Sequence, residues 1–132
     1  MLLDTHVLIW MTEANSRLGA SARKTIEQAF QQDRLAVSAI SFWEVGTLVR
    51  KGRVHFELDI QSWRDDLIKQ GVIEFPVDGE IAAKAAELAP FNTDPGDRIL
   101  AATALKHSLT LVTADRKMLD CTLAIKRLDA RI

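Results

Sequence analysis

The chain has 132 residues, of which 48% are hydrophobic and 27% are charged, and its formal net charge at pH 7 is -1. This length and composition exclude an intrinsically disordered chain and predict a single globular domain over residues 1–132. A net charge near zero gives no bulk attraction to nucleic acid, so an RNA-binding protein of this composition needs local basic patches.

Short apolar segments alternate with segments of helical periodicity along the chain. From the N-terminus, the predicted strands are residues 1–3, 35–37, 72–75 and 109–112, with a weaker candidate at 122–125. The predicted amphipathic helices carry apolar side chains mostly three or four positions apart: Ala22, Ile26, Ala29 and Phe30; Val45, Leu48 and Val49; Ile60, Trp63, Leu67 and Ile68; Ile81, Ala85, Leu88 and Ala89. A more uniformly apolar helix is predicted over residues 99–105.

This alternation predicts a fold class. Strands that alternate with helices pair in parallel through right-handed crossovers, so we expect a three-layer α/β/α sandwich with a central parallel sheet of four or five strands. Ligands of such folds bind beyond the carboxyl ends of the strands. Any functional residues are therefore expected at that edge.

The cysteine content and the N-terminal segment indicate a compartment. Cys121 is the only cysteine and cannot form an internal disulfide, and no Cys/His spacing resembles a zinc site. The apolar run at residues 7–11 is far too short to span a bilayer. We expect a cytoplasmic protein that is not associated with a membrane.

Two predicted strands end in an aspartate. Asp4 directly follows the first strand, and Asp115 closes the segment 109–115 before a possible helical turn. Each aspartate could serve only as a helix N-cap, which contributes about 1 kcal/mol. Each also stands at the carboxyl edge of the predicted sheet.

Two further acids lie at predicted helix starts. Glu44 closes the segment Ser41-Phe42-Trp43-Glu44, which fits the S-x-x-E capping box. Asp94 and Pro95 suit the N-cap and the first position of the buried helix, so Asp97 falls in its first turn. Helix-start chemistry explains both acids without a ligand.

Taken together, however, the acids predict a metal site. Asp4, Glu44, Asp97 and Asp115 would bring four carboxylates to one rim of the sheet. Carboxylates held that close repel one another, so either a divalent cation neutralises them or at least one is protonated with a raised pKa. Since no Cys or His joins the set, the oxygen-preferring cations Mg²⁺ and Mn²⁺ are the predicted cofactors.

Four segments of the chain resemble the PIN-domain family, and within it the VapC-like toxin ribonucleases of bacterial type II toxin–antitoxin pairs. They are LDTHVLIW at residues 3–10, SAISFWEV at 38–45, DPGDRILAATA at 94–104 and LTLVTAD at 109–115. The resemblance spans essentially the whole chain in the right order. One departure is Gly96, where close relatives often carry a bulky residue, and it predicts a looser loop before Asp97.

The resemblance implies a metal-dependent endoribonuclease. Asp4, Glu44, Asp97 and Asp115 match the family's metal-site acids, with Asp4 and Asp97 as direct ligands and Glu44 as either a ligand or the acceptor that orients the attacking water. Supporting roles near the metal are expected for Thr5, Asp94 and Thr113. One or two Mg²⁺ ions would activate a water for in-line attack, which predicts a 5′-phosphate and a 3′-hydroxyl at the cut.

Basic residues beside these acids are the candidate contacts to RNA phosphates. They are Arg50, Lys51, Arg98 and Arg116. Any one of them alone is more often a solvated surface charge. His6 is expected to be a packing or hydrogen-bonding residue outside the site, and His55 and His107 are given no role.

Aromatic side chains near helix starts bear on partners. Trp10, Phe42, Trp43 and Trp63 are expected in the core by default, and they would form a partner-binding patch only if several were exposed together. The family resemblance implies a homodimer and a small antitoxin protein that masks the acidic pocket.

Two other functions fit parts of the pattern. An aspartate at the end of a first strand also serves as the nucleophile of aspartyl-phosphate phosphatases. Such enzymes usually carry a second acid two positions later, where this chain has His6. A non-catalytic PIN-like module that only binds RNA or a protein would not need all four acids.

Overall fold

The computed structural model describes residues 1–88 and 94–132. The strands are β1 (Leu2–Leu3), β2 (Ala36–Ser38), β3 (Ile73–Phe75), β4 (Leu111–Thr113) and β5 (Arg127–Asp129). The helices are α1 (Thr5–Thr12), α2 (Ala20–Gln31), α3 (Ala39–Arg50), α4 (Ile60–Lys69), α5 (Gly79–Glu87), α6 (Pro95–His107) and α7 (Arg116–Asp120). All strands pair in parallel in the order β3-β2-β1-β4-β5, so the predicted α/β/α sandwich is confirmed, with five strands.

Helices cover both faces of the sheet. Successive strand residues point to opposite faces, so the sheet contributes side chains to two separate cores. The core on one face contains Leu3, Val37 and Val112, and the core on the other contains Leu2, Ala36 and Leu111. The second core also contains Leu100 and Ala104 of α6. Burial on both faces explains why the central strands are continuous apolar runs rather than alternating ones.

The strand order reverses next to β1. The chain runs outward from β1 through β2 to β3, and then returns to the other side of β1 with β4 and β5. The Asp4 backbone N–H donates to the Val112 carbonyl oxygen at 2.9 Å, which ties the end of β1 to β4. A reversal of this kind opens a crevice at the carboxyl ends of the strands, where α/β proteins bind ligands.

The prediction of a last strand at residues 122–125 was wrong. Leu123 and Ile125 pack against the second core, so their apolar character reflects burial rather than strand pairing. The Arg127 guanidinium donates to the Leu123 carbonyl oxygen at 2.7 Å, which holds this segment in an irregular path. Pairing with β4 starts only at Arg127, in register with Leu111.

The aromatic residues divide between core and surface. Phe42 and Trp63 are buried and pack edge to face with ring centroids 5.5 Å apart, while Trp10 is half-buried at the same core. Core packing was the wrong expectation for Trp43, whose exposed fraction is 68%. Over the two described ranges, no helix is both long enough and apolar enough to cross a membrane.

Candidate active site

Asp4 occupies the N-cap position of α1 but does not cap it. Its side chain makes no capping hydrogen bond, so the N-cap interpretation of this residue was wrong. Instead, the Thr113 hydroxyl donates to Asp4 Oδ2 at 2.6 Å, and the aspartate is only 6% exposed. The carboxylate is thus held at the end of β1 by a residue at the end of β4.

The surroundings of Asp4 disfavour its charge. Burial raises the pKa of the Asp4 carboxyl above its usual value, and the nearby Asp115 charge adds to the increase. The hydrogen bond from Thr113 and the neighbourhood of His6 oppose this pKa shift without cancelling it. A carboxylate in this position gains more from a nearby cation than one in water does.

The capping box predicted at Ser41 and Glu44 is absent. Helix α3 begins at Ala39, and its N-cap is Ser38, whose hydroxyl accepts a hydrogen bond from the Ile40 backbone N–H at 3.2 Å. Ser41 and Glu44 both lie inside the helix. The interpretation of Glu44 as a helix-start residue is therefore wrong.

The Thr5 hydroxyl holds Glu44 instead, and the Ser41 hydroxyl holds Thr5. Thr5 Oγ1 donates to Glu44 Oε1 at 2.7 Å, and Thr5 Oγ1 lies 2.9 Å from the buried Ser41 Oγ. Because Thr5 has one proton to give, Ser41 is the donor in the second bond. Burial raises the pKa of Glu44, with smaller increases from the charges of Asp94 and Asp4, and the Thr5 hydrogen bond acts against these.

The Glu44 carboxylate lies directly against Gly96. A Cβ atom placed on Gly96 would come 2.7 Å from Glu44 Cδ and 2.9 Å from Oε1, closer than real Cβ contacts allow. Gly96 is buried in the first turn of α6. Gly96 is therefore helical and makes room for a carboxylate, while residues 89–93 of the loop that was predicted to be looser lie outside the described residues.

The remaining acids lie in first turns or at N-caps, as predicted. Asp94 caps α6 by accepting a hydrogen bond from the Gly96 backbone N–H at 3.1 Å, and Asp97 follows in the first turn. Asp115 caps α7, where it accepts from the Lys117 backbone N–H at 2.9 Å. The Asp115 N–H in turn donates to Thr113 Oγ1 at 3.1 Å, so one hydroxyl connects the Asp4 and Asp115 positions.

The predicted acids line one cavity of about 320 Å³, which we call the acidic cavity. Its lining residues are Asp4, Thr5, His6, Trp10, Glu44, Asp94, Asp97, Ala114 and Asp115. Within the described ranges, no three His, Cys, Asp or Glu side chains are already arranged as a metal cluster. The carboxylates surround an open space, and their oxygen atoms are the donor type that Mg²⁺ and Mn²⁺ prefer.

Some contributions to this site were missed in the sequence. His6 was expected to pack, but it is exposed at the acidic cavity. The role of Ser41 was hidden because its spacing to Glu44 matched a capping box. The close approach of Glu44 to Gly96 had no sequence signal beyond the unusual glycine itself.

The candidate RNA contacts have different surroundings. The Arg98 guanidinium donates to the carbonyl oxygens of Ala85 and Ala86 at 3.0 and 2.8 Å, at the end of α5. Arg116 is exposed next to Asp115. Arg50 and Lys51 are exposed at the end of α3, and Lys51 lines a second cavity beside the acidic one.

Comparisons with known proteins agree with this geometry. The family model described as "PIN domain" matches residues 1–121. The chain is 37% identical over 119 residues to Ribonuclease VapC22 of Mycobacterium tuberculosis (strain H37Rv). This alignment covers 89% of this chain and 88% of that relative. A solved toxin–antitoxin complex from Klebsiella pneumoniae has a similar fold, with a TM-score of 0.62 and 24% identity over 94% of this chain and 93% of the other.

Proposed function

The chain belongs to the PIN domain family, and from this premise we propose that it is an endoribonuclease that hydrolyses RNA phosphodiester bonds with Mg²⁺ or Mn²⁺, as the toxin of a toxin–antitoxin pair. The observation that carries the proposal is that Asp4, Glu44, Asp97 and Asp115 line one cavity at the carboxyl ends of β1 and β4. A relative 37% identical in sequence is named a ribonuclease.

The residues that would hold the cation are the acids of the acidic cavity. We assign Asp4 and Asp97 as direct ligands, with Asp115 completing the set. A bound divalent cation neutralises carboxylate charge and supplies a water activated for attack on phosphorus. Because burial raises the pKa values of Asp4 and Glu44, a bound cation would stabilise the ionised form of both acids.

Hydroxyl groups keep the acids in place for this chemistry. Thr113 donates to Asp4 Oδ2 and Thr5 donates to Glu44 Oε1, so one oxygen of each carboxylate is held in place. A Glu44 carboxylate with a raised pKa is also suited to accept a proton from the attacking water. We therefore assign Glu44 as a ligand or as the acceptor that orients this water, and Asp94 as a supporting acid.

The test is cleavage of single-stranded RNA by the purified chain with Mg²⁺ or Mn²⁺. We expect Asp4→Asn and Asp97→Asn to abolish cleavage and the exposed Asp66→Asn in α4, which is outside the acidic cavity, to cleave like the wild type. Water attack leaves a 5′-phosphate and a 3′-hydroxyl, so the ends of the fragments are mapped as well. Equal cleavage by all variants, or a 2′,3′-cyclic phosphate product, would refute the proposal.

The proposed function brings partners with it. We propose a cognate antitoxin protein that covers the acidic cavity, a homodimer, and action in the cytoplasm. We also propose that residues 1–132 form one domain, since one sheet includes strands from Leu2 to Asp129. Light scattering of the purified chain, alone and with the co-expressed antitoxin, would show whether the chain is a homodimer and whether it forms a complex with the antitoxin.

A further inference from the structure

Helix α3 has two chemically different faces. Ser41, Phe42 and Val45 are buried on the side that packs into the core. The other face follows the spacing i, i+3, i+4, i+7 and i+8, which brings residues to one side of a helix. Its members are Ile40, Trp43, Glu44, Thr47 and Leu48. This second face thus combines a candidate catalytic acid with apolar side chains.

The second face of α3 lines a cavity of about 370 Å³, which we call the side cavity. Its other lining residues are Thr5, His6, Lys51, Asp94, Pro95 and Gly96. The side cavity shares Thr5, His6, Glu44 and Asp94 with the acidic cavity. A group that enters the side cavity is therefore a neighbour of whatever occupies the acidic cavity.

Trp43 is the large exposed side chain of the side cavity. Its exposed fraction is 68%, whereas that of the adjacent Phe42 is 9%. The Trp43 indole belongs to neither of the cores on the two faces of the sheet. The ring is therefore mostly exposed to solvent, where a ligand can contact its flat apolar face.

The charge of the side cavity differs from that of the acidic cavity. Lys51 lies at the end of α3, two turns beyond Trp43, and is exposed. A strand of nucleic acid that approaches the carboxylates meets repulsion except where a cation sits. Lys51 offers the opposite charge two helical turns from Glu44 along α3, although the side cavity shares the acids Glu44 and Asp94 with the acidic cavity.

We propose that the side cavity binds a nucleobase of single-stranded RNA next to the scissile phosphate, with the base stacked on Trp43 and a neighbouring phosphate beside Lys51. This inference rests on the proposed function, which puts a phosphodiester at the acids. The base is the flat apolar group that is covalently attached beside that phosphodiester. Stacking on an aromatic ring tolerates every base, because each has a π face.

The experiment compares two probes with cleavage-resistant phosphorothioate linkages in Mg²⁺ at low ionic strength, so that a cation can occupy the acidic cavity while the probes are not consumed. One probe is a short random-sequence single-stranded oligoribonucleotide, and the other is an abasic ribose-phosphate oligomer of equal length. Binding is followed by fluorescence anisotropy. The variants are Trp43→Ala, Trp43→Phe and Lys51→Ala, with Leu58→Ala as a control for loss of an exposed apolar side chain outside both cavities.

We expect Trp43→Ala to weaken binding of the base-bearing probe by about tenfold and to leave binding of the abasic probe unchanged. Trp43→Phe should retain most of the affinity, because a phenyl ring also stacks. Lys51→Ala should weaken both probes alike, since it acts on phosphate. Leu58→Ala should match the wild type.

Several results overturn the inference. Base stacking would be refuted if the wild type bound both probes with equal affinity, or if Trp43→Ala lowered the affinity for both probes equally. A Trp43→Ala variant that changes the oligomeric state in light scattering but not RNA binding makes the surface a protein interface. Trp43-dependent binding without any cleavage in Mg²⁺ would sink the proposed function alone, and cleavage without Trp43-dependent binding would sink this inference alone.

Discussion

Gly96→Ala is the substitution that most directly tests why Glu44 is held where it is. The added Cβ would lie within 3 Å of three atoms of the Glu44 carboxyl group. Because that group is the far end of a flexible side chain, it should withdraw and give up the hydrogen bond from Thr5. Hydrogen bonds to charged groups contribute about 1.5–3 kcal/mol, and the low end applies to a half-buried carboxylate such as this one.

A second effect works in the opposite direction. Alanine in a helix is more favourable than glycine by about 1 kcal/mol, and the withdrawn carboxylate returns to water. The two contributions nearly cancel, so we expect the free energy of unfolding of Gly96→Ala to stay within about 1 kcal/mol of the wild type. Activity has no such compensation, because Glu44 leaves the acidic cavity, and we expect cleavage to fall by about 10²–10⁴-fold.

The assay pairs urea unfolding with RNA cleavage in Mg²⁺. The matched control is Gly79→Ala, also in the first turn of a helix, where an added Cβ meets nothing within 4 Å. That control should be as stable as the wild type or slightly more so, with unchanged cleavage. Wild-type cleavage by Gly96→Ala would refute the argument, since Glu44 would then be displaced without consequence or not displaced at all.

Three further predictions concern the buried acid and the basic residues. Burial raises the pKa of Asp4 above its unfolded-state value, so its ionised form costs stability once the pH exceeds about 4. Asp4→Asn should therefore melt higher than the wild type without a cation, by a margin that grows as the pH rises above the unfolded-state pKa and levels off above the raised folded-state pKa. Mg²⁺ should raise the melting temperature of the wild type alone. Thr113→Val removes the donor that favours ionised Asp4, so the pH at which cleavage reaches half its maximum should move upward. Arg98→Ala should cost about 1 kcal/mol of stability through lost bonds to α5 carbonyls, whereas Lys51→Ala should leave stability unchanged and lower the salt dependence of RNA binding.

The fold was predictable because it depends on patterns that are local. Apolar runs identified β1 to β4 within two residues, because β1, β2 and β4 are fully buried and the edge strand β3 is partly buried. Helical periodicity located the helices between them. The position of β5 was not predictable in this way. Leu123 and Ile125 are apolar because they pack in the core, whereas the pairing with β4 begins at Arg127. An apolar sequence pattern indicates which residues are buried, and in residues 122–125 the buried residues are not the ones that pair with a strand.

The site was predictable in its acids but not in what holds them. Asp94 and Asp97 were placed correctly because caps are short-range motifs. The Ser41 and Glu44 spacing misled for the same reason, since the actual cap of α3 is Ser38, three residues earlier. The bonds from Thr113 to Asp4 and from Thr5 to Glu44 join residues far apart in the chain, and no local pattern encodes them.

Four of the five acids of the acidic cavity fall into two pairs that differ in what the fold gains from them. Asp94 and Asp115 cap helices and therefore stabilise the protein without any ligand. Asp4 and Glu44 cap nothing, are held by hydroxyls from other elements, and have raised pKa values. Residues that reduce stability when ionised, yet are held in place by dedicated hydrogen bonds, are explained by a ligand that reverses the penalty. In the proposed function a divalent cation would be that ligand, and its effect on stability should be concentrated at Asp4 and Glu44.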